Sequence, residues 1–445
     1  MDTPVYDFVR RYAASDAVRL HMPGHKGKPF LGCEPWDITE IPGADALYEA
    51  EGILRQSEEN AAALFGSGRT VYSTEGASQC IRAMVYLAVT LRPAGAAPVI
   101  VAARNAHKSF LYAAALSDAS IVWLWPERRS SLCACPVSPD QLRRTLNALP
   151  ALPAAVYLTS PDYLGGMAEI PALAEVSHGY GVPLLVDNAH GAYLRFLAPS
   201  RHPLDQGADL CCDSAHKTFP VLTGGAYLHI HKNAPASFRQ GAKGAMALFG
   251  STSPSYLILA SLDRCNRYLR DDYPARLQET VRRLDALRTR LRRAGWQIRE
   301  SDPLRVTLRG GGERIAECLA NRGVQWEYAD RDYVVLMATP ENSPADFDRA
   351  AEALGVNPDP VPPEPSLPLA RGETVLSPRQ ALFAPRERIP VRQALGRICG
   401  GPTVGCPPAI PVVSAGERIG PEALALLQYY GVRDVEVVRD AHSAL

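Results

Sequence analysis

Lysine is scarce in this sequence, whereas arginine is abundant. Among the 445 residues, 47 are lysine or arginine. Only six of them are lysines, and these are Lys26, Lys28, Lys108, Lys217, Lys232 and Lys243. Any chemistry that requires a lysine amine therefore has six candidates, all within the first 243 residues.

The sequence also lacks a net charge, because 47 acidic residues balance the 47 basic ones. This balance argues against a nucleic-acid-binding protein that works by bulk positive charge. No run of apolar residues approaches the ~20 that a membrane span needs. The first residues lack the basic-then-apolar order of a secretion signal. We therefore expect a cytoplasmic protein that binds neither nucleic acid nor membranes.

Paired cysteine motifs are absent as well. The ten cysteines include the adjacent pair Cys211-Cys212 but no CxxC motif, which argues against a zinc ribbon. The spacing of His21 and His25 would suit a metal-binding helix, but Pro23 lies between them and opposes a helix there. We predict reduced thiols, core packing for Cys211 and Cys212, and no metal site.

Short apolar runs alternate with longer segments in the middle of the chain, which is 47% hydrophobic overall. Each run is rich in Val, Ile, Leu or aromatic residues and has the length of a strand. The segments between them mostly have room for a helix. The predicted strands span residues 98–103, 120–125, 154–159, 183–187, 209–213 and 226–230. This pattern predicts an α/β fold with a mainly parallel sheet, in which ligands bind beyond the carboxyl ends of the strands.

The pattern changes near residue 256 and again near residue 357. Apolar residues at three- and four-residue spacing from Leu277 to Leu291 predict a long amphipathic helix, which short strands at 304–308 and 333–337 and a helix at 345–354 follow. A proline-rich stretch then predicts an extended linker. The predicted division is an N-terminal arm (1–60), a large domain (61–255), a small α+β domain (256–356), the linker (357–370) and a C-terminal domain (371–445).

One of the six lysines, Lys217, lies in a chemical context that the others lack. It belongs to the turn Ser214-Ala-His-Lys217, which follows a predicted strand ending at Asp213. A second predicted strand ends in the motif Asp187-Asn-Ala-His190. Because the carboxyl ends of parallel strands meet at one edge of a sheet, these motifs mark the place to search for a site.

A glycine turn before a predicted helix completes the set. The motif Gly76-Ala-Ser78 leads into a helix predicted over residues 79–90, and backbone N–H groups at a helix start can bind a phosphate. A strand-end aspartate can keep a pyridine nitrogen protonated, and a lysine can form a Schiff base. Together these groups suit pyridoxal 5′-phosphate (PLP), whose phosphate Ser214 and His216 could also contact.

The same motifs resemble those of the bacterial ornithine/lysine/arginine decarboxylases. The similar segments are residues 21–27, 39–43, 104–109, 187–192, 214–218, 252–256 and 407–411, with Gly416 and Glu417. The resemblance runs from about residue 5 to residue 440. It implies a fold-type-I PLP enzyme with a large domain like that of aspartate aminotransferase. It also implies a homodimer, or a higher oligomer, with active sites at the subunit interface. Because no segment is similar to the extra N-terminal domain of the long members, the resemblance implies the shorter, biosynthetic type.

The resemblance also implies roles for individual residues. Lys217 would be the Schiff-base lysine, Asp187 would hold the pyridine nitrogen, His107 would stack on the cofactor ring, and His190 would lie beside the ring near the substrate. The residues implied in phosphate binding are Gly76, Ala77, Ser78, Ser214, His216 and, from the neighbouring subunit, Thr252 or Ser251. The arm that carries residues 21–27 would close over the site.

The implied reaction is the α-decarboxylation of arginine, lysine or ornithine, which gives CO₂ and a diamine or polyamine precursor. His216 or Lys217 would return the proton to Cα. An aminotransferase or an aldolase-type lyase of the same fold is the alternative, and an aminotransferase would need an arginine for the substrate carboxylate. Arg104 could fill that role or be structural.

Three carboxylates are candidates for binding the basic end of the substrate: Asp45, Glu51 and Glu75. For each of them, a solvent-exposed or helix-capping role is the alternative. Two positions depart from the family pattern, since Tyr193 stands where a histidine is common and Glu75 stands where a neutral residue is common. Either departure could alter the substrate preference. The sequence does not rank the three basic amino acids.

Overall fold

The structure is a computed structural model that describes residues 1–356, 363–402 and 408–439. Its helices, apart from short 3-10 turns, are α1 (Pro4–Ala13), α2 (Ile53–Phe65), α3 (Ala77–Thr90), α4 (Lys108–Leu116), α5 (Pro139–Ala148), α6 (Ile170–Gly179), α7 (Ala215–Thr218), α8 (Ala236–Leu248), α9 (Tyr256–Asp271), α10 (Tyr273–Arg293), α11 (Gly312–Ala320), α12 (Pro344–Leu354), α13 (Pro378–Phe383) and α14 (Pro421–Tyr429).

The strands follow the same chain order. They are β1 (Arg69–Ser73), β2 (Ala97–Ala103), β3 (Ser120–Leu124), β4 (Pro153–Thr159), β5 (Leu184–Asp187), β6 (Leu210–Asp213), β7 (Ala226–Ile230), β8 (Gln297–Arg299), β9 (Arg305–Arg309), β10 (Tyr328–Ala329), β11 (Tyr333–Met337), β12 (Arg386–Pro390) and β13 (Asp434–Val438). A helix separates each pair of successive strands from β1 to β7 except β5 and β6, which is the α/β pattern that the sequence predicted.

The chain divides into two compact units, each made of two separate stretches of sequence. The first unit contains Met1–Arg92 and Pro183–Leu277, and the second contains Pro93–Val182 and Gln278–Leu445. The first unit contains four sheet strands, in the order β1-β7-β6-β5, and the second contains three, in the order β4-β2-β3.

The strands of the first unit bring three chain positions to one edge of the sheet. Strands β5 and β6 are parallel, β7 runs antiparallel to β6, and β1 runs antiparallel to β7. The last residues of β1, β5 and β6, which are Ser73, Asp187 and Asp213, therefore lie at the same edge. Both β5 and β6 are completely buried, in keeping with their apolar sequences.

The second unit combines parallel strands with two smaller antiparallel sheets. Strand β2 pairs in parallel with β3 and β4. A four-stranded sheet has the order β10-β11-β9-β8, and β12 pairs with β13. One apolar cluster contains residues from β10, β11, α14 and β13, together with Ile410, Val412 and Val413. This cluster forms the core of the C-terminal part of the unit.

The structure confirms the predicted class, with two corrections. All six predicted strands are present, each within one residue of its predicted ends, and the long amphipathic helix is α10. The sequence did not predict β1, and it gave no sign that β7 runs antiparallel to its neighbours. Of the helices of the described residues, none has the length and apolar character needed to cross a membrane.

The predicted domain boundaries stay a prediction. Residues 357–362 of the predicted linker lie outside the described residues, as do residues 403–407 and 440–445 of the predicted C-terminal domain. Cys211 and Cys212 are fully buried in β6, in accord with the core packing expected for them.

Candidate active site

Lys217 lies one short turn beyond the end of β6. Its backbone N–H donates to the Ser214 carbonyl, so the side chain leaves a single tight helical turn, α7. The amine Nζ lies 2.8 Å from Nε2 of His190, which follows β5. His190 is buried and Lys217 is partly buried. An amine and an imidazole at this distance share a hydrogen bond and can exchange a proton.

Asp187 ends β5 at the same edge, where it is buried. Its Oδ1 accepts the backbone N–H of Ala189 at 3.1 Å, and the Cys212 thiol lies 3.7 Å from the same oxygen. Since Asp187 and His190 flank one turn, the carboxylate and the imidazole are held by the same piece of backbone. The structure thus gathers the strand-end acid, the histidine and the lysine that the sequence singled out.

A buried carboxylate beneath this edge, Asp213, supports the turn after β5. Its Oδ1 accepts the side-chain N–H of Asn188 at 2.6 Å, and its Oδ2 lies 3.0 Å and 3.2 Å from Nε2 of His202 and His229. All four side chains are fully buried. Although burial opposes ionisation, the two imidazoles hold the pKa of Asp213 well below its usual range. The sequence motifs gave no signal for this network, because its members lie far apart in the chain.

His202, Cys211 and Asp213 also form a group whose ligand atoms are close enough for a metal ion. The backbone N–H of Leu204 points at Nδ1 of His202 at 3.4 Å. Nδ1 must therefore accept, so the ring proton sits on Nε2, where it donates to Asp213. A nitrogen that carries a proton cannot ligate a metal, so the hydrogen-bonding arrangement favours a network of a carboxylate with neutral imidazoles over a metal centre.

The glycine turn after β1 leads directly into the N-terminus of α3. Gly76 has φ +73° and ψ 177°, a combination that essentially only glycine adopts, and α3 begins directly after it. The Ser73 hydroxyl donates to the Gln79 side chain at 2.6 Å and accepts the N–H of Glu75, which fixes the turn. The 14-residue helix α3 therefore directs its N-terminus, with Ala77 and Ser78, toward this edge.

The other four residues of the predicted phosphate set have different surroundings. His216 shares a 3.0 Å hydrogen bond between Nδ1 and the Gly225 carbonyl, so its proton sits on Nδ1. Ser214 is buried at the start of α7. Thr252 is exposed in the loop before α9, and the neighbouring Ser251 donates its backbone N–H to Glu75.

His107 lies in the second unit, as the N-cap of α4. Its Nδ1 accepts the backbone N–H of Ser109 at 3.1 Å, and the ring is partly buried. Arg104, three residues earlier, is buried and bound to the carbonyls of Pro411 and Val412. Of the two roles open to Arg104, the structure supports the structural one.

The three carboxylates considered for substrate binding differ in their exposure and in the number of hydrogen bonds that they accept. Asp45 accepts backbone N–H groups from Ala46, Glu51, Gly52 and Leu54. Burial raises the pKa of Asp45, but the four N–H groups outweigh it and the pKa lies below its ordinary value. Asp45 thus holds its own turn together. Glu51 is exposed, and Glu75 accepts the Ser251 N–H.

The two histidines of the segment 21–27 lie close to other residues of the predicted arm. His21 Nε2 lies 2.6 Å from the Tyr12 hydroxyl, whereas His25 Nε2 lies 3.2 Å from Asp37. The two histidines therefore have different partners. Tyr193, the other departure from the family pattern, is fully buried in a short 3-10 turn.

Comparison with known proteins gives matches along most of the chain. The family model described as Orn/Lys/Arg decarboxylase, major domain, matches residues 3–327. The arginine decarboxylase of Bacillus subtilis (strain 168) is 28% identical, over 96% of this chain and 93% of that protein.

Solved structures share the fold at lower identity. The lysine decarboxylase of Francisella novicida superposes with a TM-score of 0.81 at 16% identity, over 98% of this chain and 81% of that one. A serine palmitoyltransferase of S. paucimobilis that was solved with bound PLP gives a TM-score of 0.54 at 17% identity, over 70% of this chain and 79% of that one. These likenesses show the fold alone, and they confirm the fold-type-I class.

Proposed function

This chain belongs to the Orn/Lys/Arg decarboxylase family, and on that premise we propose that it decarboxylates a basic amino acid with PLP as cofactor. The family and the decarboxylase activity predicted from the motifs are thereby confirmed at the level of the family. The observation that supports the proposal most directly is the 2.8 Å contact between Lys217 and His190, at the sheet edge that also carries Asp187 and the Gly76 turn.

The residues at this edge fit PLP group by group. A helix N-terminus that follows a glycine at φ +73° suits the phosphate, and a carbon added at Gly76 would stand 4.0 Å from the Ser78 backbone nitrogen, on the side where α3 begins. The buried Asp187 suits a protonated pyridine nitrogen, and the Lys217 amine suits the aldehyde. When bound, PLP would supply the electron sink that stabilises the charge left by departing CO₂.

The protein groups would then orient the cofactor and move protons. Asp187, whose position the Ala189 N–H fixes, would hold the pyridine proton, and Ala77, Ser78, Ser214 and His216 would bind the phosphate. We propose that His107 stacks on the face of the cofactor ring. We also propose that Thr252 or Ser251 of a neighbouring subunit makes a further contact with the phosphate.

We propose that Lys217 donates the proton that returns to the substrate Cα. His190 lies within hydrogen-bonding distance of Nζ and can pass a proton to it or take one from it. His216 is the less suitable donor, because its Nδ1 proton is directed to the Gly225 carbonyl. These hydrogen-bond partners are the reason that we propose Lys217 rather than His216.

The alternative of an aminotransferase finds no support at Arg104. An aminotransferase binds the substrate carboxylate tightly, whereas loss of CO₂ is favoured when the carboxylate is poorly solvated. Arg104 is committed to Pro411, Val412 and the Glu417 carboxylate. It is therefore not placed to bind a substrate carboxylate.

We propose arginine as the substrate to test first, since the related protein of Bacillus subtilis is named arginine decarboxylase. A diamine or polyamine precursor would be the product, formed in the cytoplasm by a homodimer or a higher oligomer. The neutral net charge means that a cationic substrate is recognised by local groups rather than by the overall field.

The direct test is to purify the protein with PLP, record its visible absorbance, and offer arginine, lysine and ornithine separately while CO₂ and amine are measured. Release of CO₂ with one of the three supports the proposal and names the substrate. A protein that takes up no PLP contradicts it. A coloured protein that releases no CO₂ from any of them contradicts the decarboxylase activity but leaves the cofactor in place.

Lys217→Ala should abolish both the visible band of the lysine-bound cofactor and the release of CO₂, because it removes the amine that lies 2.8 Å from His190. Lys232→Ala is the matched control, since Lys232 is exposed and lies after β7. It should leave the band and the rate unchanged. A band that persists in the Lys217 variant would show that another lysine carries the cofactor.

A further inference from the structure

A segment near the C-terminus lies against the turn that carries His107. We call residues 409–417 the C-terminal strap. The carbonyl of Ala409 accepts the backbone N–H of Lys108 at 2.8 Å. Ala409 is fully buried and has φ +56°, a left-handed conformation that is uncommon for a residue with a side chain. The strap therefore adopts an unfavourable backbone conformation at the residue whose carbonyl meets the start of α4.

Arg104 joins the other end of the same turn to the strap. Its Nη1 donates to the Pro411 carbonyl at 2.9 Å and its Nη2 to the Val412 carbonyl at 2.8 Å. The guanidinium carbon lies 4.9 Å from the ring centre of Trp123 and 5.1 Å from that of Trp125. A planar fork with two fixed donors matches two successive carbonyls, and a lysine cannot reproduce that geometry.

Glu417, at the end of the strap, provides the counter-charge. Its Oε2 lies 3.6 Å from Nη2 of Arg104 and accepts the Ser414 N–H at 2.8 Å. The side chains of Arg104 and Glu417 are 1% and 3% exposed. Removing one partner of a buried pair leaves the other charge without compensation, so each residue depends on the other to remain in place.

We propose that Arg104 and Glu417 are positioning residues for His107, through which the C-terminal strap fixes the imidazole that faces the cofactor ring. The turn from residue 104 to residue 108 is held at both ends by the strap, and His107 lies between the two attachments. This inference rests on the proposed function, because it takes His107 to contact PLP. The C-terminal strap then belongs to the active site, because its carbonyls and Glu417 hold the turn that carries His107.

The first experiment compares Arg104→Lys with wild type. Lysine keeps the charge but loses one of the two carbonyl bonds, so the His107 turn shifts. We expect the dissociation constant of PLP, measured by reconstitution of the apoprotein, to rise about tenfold, because small displacements of site groups have large effects. The visible circular dichroism of bound PLP should change with it, since that signal reports ring orientation.

A double-mutant cycle separates positioning from a general loss of stability. In a His107→Ala background, Arg104→Lys should change the PLP dissociation constant by less than about twofold, since the residue through which Arg104 acts is gone. An equal effect in both backgrounds would overturn the proposal, and so would wild-type affinity and dichroism in Arg104→Lys.

Glu417→Gln is the second variant, for use if Arg104→Lys does not fold. Glutamine can still accept the Ser414 N–H but leaves Arg104 without its counter-charge. We therefore expect the visible dichroism of bound PLP to change in the same direction as in Arg104→Lys. Glu373→Gln is the matched control, because Glu373 pairs at 3.0 Å with the adjacent Arg418 at an exposed position. Unchanged dichroism in Glu417→Gln would overturn the proposal. A wild-type protein that binds no PLP would instead refute the proposed function.

Discussion

Asp263 is a buried carboxylate that joins α9 to the N-terminal helix. Its oxygens accept the Ser57 hydroxyl at 2.5 Å and the Tyr6 backbone N–H at 2.9 Å. Burial raises the pKa of Asp263 to about 6, and these hydrogen bonds offset the effect only in part. Because the folded state then holds the proton more tightly than the unfolded state, the stability due to this group is greatest below about pH 4 and is lost as the pH rises to about 6.

Asp263→Asn should remove this dependence. The free energy of unfolding of the variant minus that of wild type should increase by roughly 3 kcal/mol between pH 4 and pH 7, as measured by denaturant titration. Asp271→Asn provides a control of opposite sign, because the hydrogen bond from Arg270 lowers the pKa of Asp271 at the surface. For Asp271→Asn, the free energy of unfolding of the variant minus that of wild type should fall slightly as the pH rises. A pH-independent difference for Asp263→Asn would contradict the prediction.

Individual site residues could be predicted from the sequence where a reactive side chain lies in a recognisable local motif. Lys217 and Asp187 could be proposed from a strand end followed by a reactive side chain. The contact between Lys217 and His190 could not, since it joins residues that follow different strands. Arg104 was ambiguous for the same reason, because its partners lie some 300 residues later in the chain.

At the scale of elements, the start of α3 depends on one glycine. Gly76→Ala should cost about 1–3 kcal/mol of stability or of cofactor affinity, because alanine is strained at φ +73° and ψ 177°. Crowding is not the cause, since the nearest atom to the added carbon is 4.0 Å away. Parallel measurements of the unfolding free energy and of the PLP dissociation constant test the prediction.

Gly244→Ala in α8 is the matched control. Gly244 is exposed within the helix, and nothing lies within 4 Å of an added carbon. Alanine should therefore stabilise the protein by about 0.5–1 kcal/mol and leave PLP binding unchanged. If Gly76→Ala and Gly244→Ala change the free energy of unfolding and the PLP affinity equally, alanine does not strain the backbone at Gly76.

The elements themselves were largely predictable from periodicity. Buried strands such as β5 and β6 are short apolar runs with clear ends, so their bounds followed from composition alone. Strand β1 was missed because Arg69-Thr-Val-Tyr-Ser73 has polar residues at both ends and no apolar run, although its Thr, Val and Tyr favour a strand. The direction of β7 depends on pairing between distant segments, which no local pattern encodes.

At the scale of the whole molecule, the N-terminal arm exposes large apolar side chains. Leu20 is 91% exposed and Phe30 is 90% exposed, and Val18, Met22 and Leu31 are also exposed. Such a concentration of apolar surface is typical of a protein interface. We therefore expect the arm to be covered by the second subunit of the proposed homodimer.

Leu20→Ser combined with Phe30→Ser should weaken the dimer. Each buried side chain of this kind contributes about 1.5–3 kcal/mol, and a homodimer of the variant loses four of them, two from each subunit, so the dissociation constant should rise by about 10⁴-fold or more. Sedimentation equilibrium measures the change. Leu395→Ser, at an exposed position of the C-terminal segment, is the control and should leave the constant unchanged. A monomeric wild type, or equal constants for all three proteins, would contradict the assignment.

The division of each unit into two separate stretches has a consequence for synthesis on the ribosome. Among the residues that the structure describes, strand β1 pairs only with β7, which is translated about 150 residues later. At about 5–20 residues per second, β1 waits roughly 8–30 s for its partner. During that interval its backbone is an open edge that other nascent chains can pair with. Messages truncated before residue 226 should therefore yield aggregating fragments, and chaperone demand should be highest before that residue emerges.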